Sequence, residues 1–384
     1  MSSSKADSAS SPRPLPSAAA RERVVVAMSG GVDSSLAAAL LVEAGYDVIG
    51  VSMRLWAGVT ESGCCSLDDF LDARLVAEQL GIPFYVMDFR AEFQRAVVDQ
   101  FVAEYRRGRT PNPCARCNQF VKFAGFWERA RELGATRIAT GHYARLGPVG
   151  GEAALLCGVD ADKDQSYFLF GLDRSVLART LFPVGGLTKP AVRAAAEQRG
   201  IAVAGKPDSQ EICFVPKGQH AAFVAAQGGV ASRGGAIVDA DGRTLGRHDG
   251  VHRFTIGQRH GLGLSGGAVR YVTGIDATSA TVQVGGAERV LASGLVADGV
   301  NWLAAVPAPG TAVSVRIRSR FAPQAARIVA ADQHGFSVVA DSGLRAVTPG
   351  QAAVLYDGER VLGGGWIRTA LPAGSASEET AATA

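Results

Sequence analysis

Hydrophobic and polar positions follow two textures along this chain, and the change between them falls near residue 217. Before it, short apolar runs alternate with amphipathic stretches of helical period. Val24, Val25 and Val26 form a run with no polar face, the pattern of a strand covered on both sides, and Leu36, Leu40 and the alanines between them give the next segment a helical apolar side. DVIGVSM (47–53), FYVMDF (84–89) and RIATGHY (137–143) read as further strands. DDFLDARLVAEQLG (68–81), AEFQRAVVDQFVAEYRRG (91–108) and NQFVKFAGFWERARELG (118–134) read as helices, the first closed by Gly81. This alternation predicts right-handed βαβ units and an α/β fold with a doubly wound parallel sheet over residues 22–216. Ligands of such sheets bind at the carboxyl ends of the strands. Ser29, Met53, Asp88 and Gly141 end these strands and are expected to rim one crevice.

After residue 217 glycine-rich pieces such as GGAIVDADGRTLG and FTIGQRHGLGLSGG take over, predicting a small β-rich central domain over 217–296. AVSVRIRSRF, ARIVAAD, FSVVADS and AAVLYDGERVLGGGWI follow as short alternating strands with DSG and DGE turns. They predict a C-terminal antiparallel β-barrel over 297–371. The Ser-, Ala- and Pro-rich opening (1–21) and the low-complexity end (372–384) read as disordered tails. The opening lacks the apolar core of a signal peptide.

Length and composition narrow the function classes. The 384 residues allow two or three domains, and 47% hydrophobic with 20% charged residues is a globular balance. No apolar run approaches the ~18 residues of a membrane span. The net charge of +3 hides segregation: residues 95–131 carry eight Lys/Arg against three acids, 245–270 four against one, and 316–327 four against none. Such clustering suits a polyanion contacted at several places. Solvated helix faces are the bland alternative for any single cluster. Cys64, Cys65, Cys114, Cys117, Cys157 and Cys213 are too sparse and irregular for a secreted disulfide scaffold and fit a reducing cytoplasm.

Candidate chemistry begins where the first strand breaks into glycine. In AMSGGVDSS (27–35) the N–H groups of Gly30, Gly31, Ser34 and Ser35 lie at a helix N-terminus, where free donors and the helix dipole favour an anion such as phosphate. A Walker loop would add a lysine; here Asp33 stands instead, which suggests Mg²⁺ held between carboxylate and pyrophosphate. SGGVDSS resembles the pyrophosphatase loop of N-type ATP pyrophosphatases, enzymes that split ATP between its α and β phosphates and adenylate an oxygen. An ordinary capped strand-to-helix turn is the alternative.

The second candidate is GRTPNPCARCNQFVKF (108–123), a Pro-rich loop running into a basic helix. The C-x-x-C of Cys114 and Cys117 fits half a zinc site, a redox pair, or two ligands of an iron–sulfur cluster. A second C-x-x-C or a suitably spaced His pair, which a closed zinc site needs, is missing from the sequence. Cys213, in PDSQEICFVP, is the natural third thiol. Where ATP activates an oxygen beside cysteines, sulfur can replace it: the adenylated oxygen departs as AMP, a persulfide attacks, and a second thiol resolves the S–S bond.

Taken together AMSGGVDSS, GRTPNPCARCNQFVKF, ATGHYAR, DADKDQSYFLF, GKPDSQEICFVP and FTIGQRHGLG, with RIRSRFAP and PGQ (349–351) in the barrel, resemble the tRNA-specific 2-thiouridylases. The resemblance implies an ATP pyrophosphatase domain at 22–216 that thiolates C2 of the wobble uridine of tRNA, with a tRNA-binding barrel. It implies ATP contacts from Ala27, Met28, Ser29, Gly30, Gly31, Val32, Asp33, Ser34, Ser35, Met53 and Gly141. Cys117 matches the nucleophile and Cys213 the persulfide carrier. Asn112, Pro113 and Cys114 match the target-base approach, and His142, Lys163, Asp164, Gln165, Arg318, Ser319 and Gln351 match tRNA contacts. A persulfide sulfur donor is an implied partner. Better-known members carry Asp where this chain has Cys114, and that Asp moves a proton; a thiol does so only with a tuned pKa. Three thiols (Cys114, Cys117, Cys213) also raise a 4Fe–4S cluster as the alternative to a persulfide relay.

Other residues have plainer readings. Cys157 lies in an apolar run and reads as a buried hydrophobe; Cys64 and Cys65 read as loop residues; Phe120, Phe123, Phe126 and Trp127 read as helix packing. His142 reads as a crevice residue or a core histidine. The histidines of the central segment show no ligand spacing. A small-molecule ligase sharing the ATP loop would have no use for Cys117 and Cys213, and an RNA-binding module with a degenerate loop would not need Asp33 and its serines.

Overall fold

The computed structural model describes residues 21–56, 66–149, 151–208, 212–215, 218–228, 233–264 and 268–372. Cys64, Cys65 and nearly all of both terminal tails lie outside the described residues. Strands β1 (Arg23–Ala27), β2 (Asp47–Arg54), β3 (Phe84–Asp88) and β4 (Arg137–Thr140) are followed by a hairpin of β5 (Ala144–Val149) and β6 (Glu152–Cys157), then by β7 (Thr180–Leu181). Five of them form a parallel sheet in the order β3-β2-β1-β4-β7. Val24, Val25 and Val26 are wholly buried at its centre, as an unbroken β-branched run requires. Val25 pairs with Ile49 on one side and Ile138 on the other. Strand order reverses at β1, so the crevice opens beyond its carboxyl end.

Helix α1 (Val32–Glu43) starts there and buries Leu36, Ala37 and Ala38. Beside it, α2 (Leu67–Leu80) begins in a capping box: Ser66 Oγ accepts from the Asp69 amide and Asp69 Oδ2 from the Ser66 amide, both at 3.1 Å. It ends at Gly81 with φ +67°. Helix α3 (Lys189–Gln198) packs against α1. The stretch expected to be helical over 118–134 begins earlier, at Pro113. Asn112 caps it by accepting from the Ala115 amide at 3.2 Å, and proline suits a first helical turn, so the C-x-x-C lies on the helix itself. Residues Asn118–Gly125 then relax into π-helical turns.

The central unit is a four-stranded sheet of β8 (Gly235–Val238), β9 (Thr244–His248), β10 (Tyr271–Asp276) and β11 (Thr281–Gly285) around Ile237, Val272, Val282 and Val284. Beyond it β12 (Leu291–Trp302), β13 (Ala312–Arg316), β14 (Gln324–Ala331), β15 (Gly335–Arg345), β16 (Ala352–Asp357) and β17 (Arg360–Pro372) pair antiparallel in the order β12-β15-β14-β13-β16-β17. A β12–β17 pairing closes the barrel. Its interior is filled by Leu295, Val315, Val338, Leu355 and Ile367. The β5–β6 hairpin extends this sheet through Arg360 opposite Leu156, so the first domain and the barrel share one ladder. No helix among the described residues is long and apolar enough to cross a membrane.

One buried ion pair pins the barrel to the parallel-sheet domain. Arg316, ending β13, donates from Nη1 to Asp164 Oδ2 at 2.7 Å, and the two side chains are 10% and 5% exposed. Asp164 also accepts from Ser166 Oγ at 2.9 Å and from the Gly158 amide at 3.0 Å. Losing the guanidinium strands a buried carboxylate. Arg316→Ala is therefore expected to cost ~3–5 kcal/mol, read as a lowered denaturant midpoint.

Candidate active site

Beyond the carboxyl end of β1 lies a cleft of about 840 Å³. Its floor is the β1–α1 turn, contributed by Ala27, Met28, Ser29, Gly31, Val32, Asp33 and Ser34. Gly30 has φ +73°, and a Cβ there would collide with the Asp69 backbone at the start of α2, so only glycine fits. Serine hydroxyls brace the turn: Ser34 Oγ donates to the Gly31 carbonyl at 3.1 Å and Ser35 Oγ to the same carbonyl at 2.9 Å. Ser35 is wholly buried, and neither it nor Gly30 lines the cleft. Met53 and Gly141 flank the floor from the ends of β2 and β4. A Cβ at Gly141 would sit 2.6 Å from the Ser34 amide nitrogen, so the two strand-end turns touch backbone to backbone. Asp88, expected on the rim, is away from the cleft: it ends the edge strand β3, is exposed, and pairs with Arg90 at 2.6 Å.

A lysine does accompany the loop, against the expectation that none would. Lys189, at the start of α3, is 8% exposed and places Nζ 2.7 and 2.9 Å from the two oxygens of Asp33. Tyr143 donates its hydroxyl to the same carboxylate at 2.7 Å. Both oxygens of Asp33 are thus engaged, which does not fit an open Mg²⁺ position. Lys189 also meets Asp208 at 2.8 Å, and Asp208 accepts from Lys163 at 2.8 Å and Arg193 at 3.0 Å. Burial raises the Asp208 pKa, and the hydrogen bonds from Lys163 and Lys189 outweigh it, leaving the carboxyl below its ordinary value. Lys206 pairs with Asp69 and Asp72 at 2.7 and 2.5 Å, tying the segment before Cys213 to α2. Lys189, Asp208 and Tyr143 escaped the sequence reading because no local spacing relates them to residues 29–35.

Two of the thiols line the same cleft. Cys114 is exposed and lines the cleft, as do Asn118 and Lys122 further along the same helix. Cys117 is 5% exposed, within the apolar cluster that contains Val121 and Phe123. Cys213 lines the cleft and packs against that same cluster. Among the described residues no three His, Cys, Asp or Glu side chains converge as a metal site, so the three thiols do not fit a cluster ligand set. Cys157 is half-buried, and burial first, then Asp164, pushes its thiol pKa up, in keeping with an inert packing role.

His142, Lys163, Asp164, Gln165 and Ser319 also line the cleft; Asn112, Pro113, Arg318 and Gln351 do not. Gln351 donates to the carbonyls of Thr110 and Pro111 at 3.1 and 2.9 Å, so the barrel holds the Pro-rich loop before Cys114. Arg318 knits the central unit to the barrel through the Ile256 carbonyl at 3.2 Å and Thr348 Oγ1 at 2.9 Å. Gln165 Oε1 accepts from the Tyr143 amide at 2.9 Å. His142 Nδ1 is 2.8 Å from Thr140 Oγ1, and its ring packs on Phe123 and Phe182. Burial, then the Lys122 charge, lowers its pKa to about 3, so the ring is neutral at neutral pH.

Family models match the chain in three consecutive pieces: a tRNA methyl transferase HUP domain over residues 22–217, a tRNA methyl transferase PRC-barrel domain over 222–286, and an aminomethyltransferase beta-barrel domain over 292–367. Over 360 residues the chain is 51% identical to the tRNA-specific 2-thiouridylase MnmA of Geotalea uraniireducens, covering 91% of this chain and 96% of that protein. The chain belongs to the tRNA-specific 2-thiouridylase family. The 2-thiouridylase of Solibacter usitatus is 52% identical over 365 residues, covering 90% of this chain and 98% of its own. A solved 4-thiouridine synthetase with RNA and bound ATP overlays on 51% of this chain and 46% of its own, at 19% identity and a TM-score of 0.33. Several of the family motifs thus line the cleft.

Two outcomes test this geometry. Gly141→Ala should push Ser34 out of place and slow ATP consumption on the order of a hundredfold, measured as AMP formation with tRNA present. For His142, the unfolded chain takes up a proton near the ordinary value of 6.5 while the folded chain stays neutral down to about 3. Stability should therefore fall as pH drops between these values, and His142→Asn should flatten that fall in denaturant midpoints at pH 7.5 and 5.

Proposed function

We propose that this chain is an ATP-dependent sulfurtransferase that converts the C2 carbonyl of the wobble uridine of tRNA to a thiocarbonyl. The observation that carries the reading is one cleft whose floor is the glycine–serine turn and whose wall holds Cys213, packed against the apolar cluster that buries Cys117. In this reading ATP lies over Ser29–Ser34, with adenine beside Met53 and Gly141. The uridine leaves its stack to enter, as bases must when enzymes act on them.

The C2 oxygen then bonds to the α-phosphorus, the bond to the bridging oxygen breaks, pyrophosphate leaves with the electron pair, and the N3 proton passes to water. A persulfide on Cys213, delivered by a donor protein, attacks C2 through its terminal sulfur and AMP departs. Cys117 as thiolate attacks Cys213 Sγ of the resulting mixed disulfide, forming a Cys117–Cys213 disulfide and releasing the sulfur on C2, which becomes the thiocarbonyl as N3 takes a proton back from water. An external thiol reductant returns both cysteines to the reduced state, which suits a cytoplasmic setting. Burial keeps Cys117 from bulk oxidant until the cleft fills. Cys114 borders the base in place of the family's Asp, and no step is assigned to it. The first domain (22–216) would carry this chemistry, with the central unit and the barrel completing the tRNA surface.

Mass spectrometry of tRNA nucleosides after incubation with ATP and a persulfide source tests the reading. Wild-type protein should yield 2-thiouridine, and Cys213→Ser or Cys117→Ser should lower the yield about a thousandfold or more. Full thiolation by the double Ser variant would remove the mechanism.

A further inference from the structure

A buried ammonium needs compensation, and Lys189 has it from two carboxylates, Asp33 in the phosphate-type turn and Asp208 in the segment before Cys213. Those carboxylates are shared with Lys163 and Arg193, so three cations face two anions and the group keeps one positive charge in excess. Lys163, Lys189, Asp33 and Asp208 all line the cleft, so the Lys189 side chain is presented to it beside the glycine–serine turn, while Arg193 braces Asp208 from outside the lining. Phosphate loops of the Walker kind carry their lysine within the loop; this turn has none, and Asp33 instead draws one in from α3. Thr188 caps α3 and Pro190 follows in its first turn, so the residue between them is fixed on a rigid helix start.

We propose that Lys189 is the phosphate-binding cation of this enzyme, meeting the departing pyrophosphate of ATP, with Asp33 and Asp208 holding its ammonium in place until the nucleotide arrives. This rests on the reading of the cleft as the ATP site. Asp33 is then the holder of a lysine, which accounts for both its oxygens being engaged. As the bond between the α-phosphorus and its bridging oxygen breaks, charge grows on pyrophosphate, and a preorganised ammonium in a half-closed cleft stabilises it without reorganising solvent.

The test is product inhibition of tRNA-dependent AMP formation, with inorganic pyrophosphate and AMP as separate probes. Lys189→Met should lower kcat on the order of a hundredfold and weaken pyrophosphate inhibition about tenfold or more, with AMP inhibition unchanged. Asp208→Asn removes one of the lysine's carboxylates and should tighten pyrophosphate inhibition several-fold while AMP moves less; it serves if the Met variant does not fold. Unchanged pyrophosphate inhibition in folded Lys189→Met, equal weakening of both probes, or a change confined to tRNA affinity would overturn the proposal, as would a failure of Asp208→Asn to tighten. Gly31→Val separates this from the site reading, because a Cβ on Gly31 would meet only Ser29 Oγ, at an ordinary 3.6 Å, and the backbone there is extended. If Gly31→Val weakens both probes and Lys189→Met weakens neither, Lys189 alone is misassigned. If Gly31→Val also leaves both unchanged, the ATP site itself lies elsewhere.

Discussion

Burial of β1 on both faces is the constraint from which the rest of the molecule follows. With Val24, Val25 and Val26 wholly out of water β1 lies inside the sheet, and it is there that the strand order reverses, β2 and β3 lying to one side and β4 and β7 to the other. The gap this leaves beyond its carboxyl end is where the glycine turn, Met53 and Gly141 gather. Close backbone approach then does what side chains cannot. Gly30 against Asp69 of α2 and Gly141 against Ser34 of α1 let the two strand-end turns and the start of α2 meet with almost no space between them.

Charge organises the next layer. The ion pairs around Asp33, Asp208 and Asp164 connect residues far apart in sequence: Lys189 to the first turn, Lys163 to the segment before Cys213, and Arg316 of the barrel to the loop after β6. Most of these groups are less than one-third exposed, so removing one partner leaves a charge that water cannot easily compensate. The cleft is held by the same kind of group that an anionic substrate would compete for.

Much of this was legible in the sequence because the signals were local. The β-branched run, the SGGVDSS turn and the alternating strands of the barrel each report on their own neighbourhood, and the structure has the parallel sheet and closed barrel they predict. The departures came where neighbourhood was not enough. Asp88 ends a strand as Met53 does, yet β3 is the sheet edge and its end faces solvent. Pro113 looked like loop and is a helix start, because Asn112 provides a cap. Lys189 has no partner within its own stretch of sequence, and only folding reveals that Asp33 is its acceptor. Gln351 likewise has no signal in its own stretch of sequence for its acceptors, the Thr110 and Pro111 carbonyls of the first domain.

The β5–β6 hairpin carries a consequence for how the chain is divided. Since β6 pairs with β17, the barrel is not a bead strung after the first domain; its last strand, at Arg360, joins a sheet through Leu156, more than two hundred residues upstream. Cutting the chain before Leu291 would strip the end of β6 of its pairing with Arg360 and leave the Cys157 amide without the Glu359 carbonyl it donates to at 2.9 Å, an unpaired strand end open to other chains. The hairpin is thus a clasp: removing the barrel removes part of the first domain's own strand pairing.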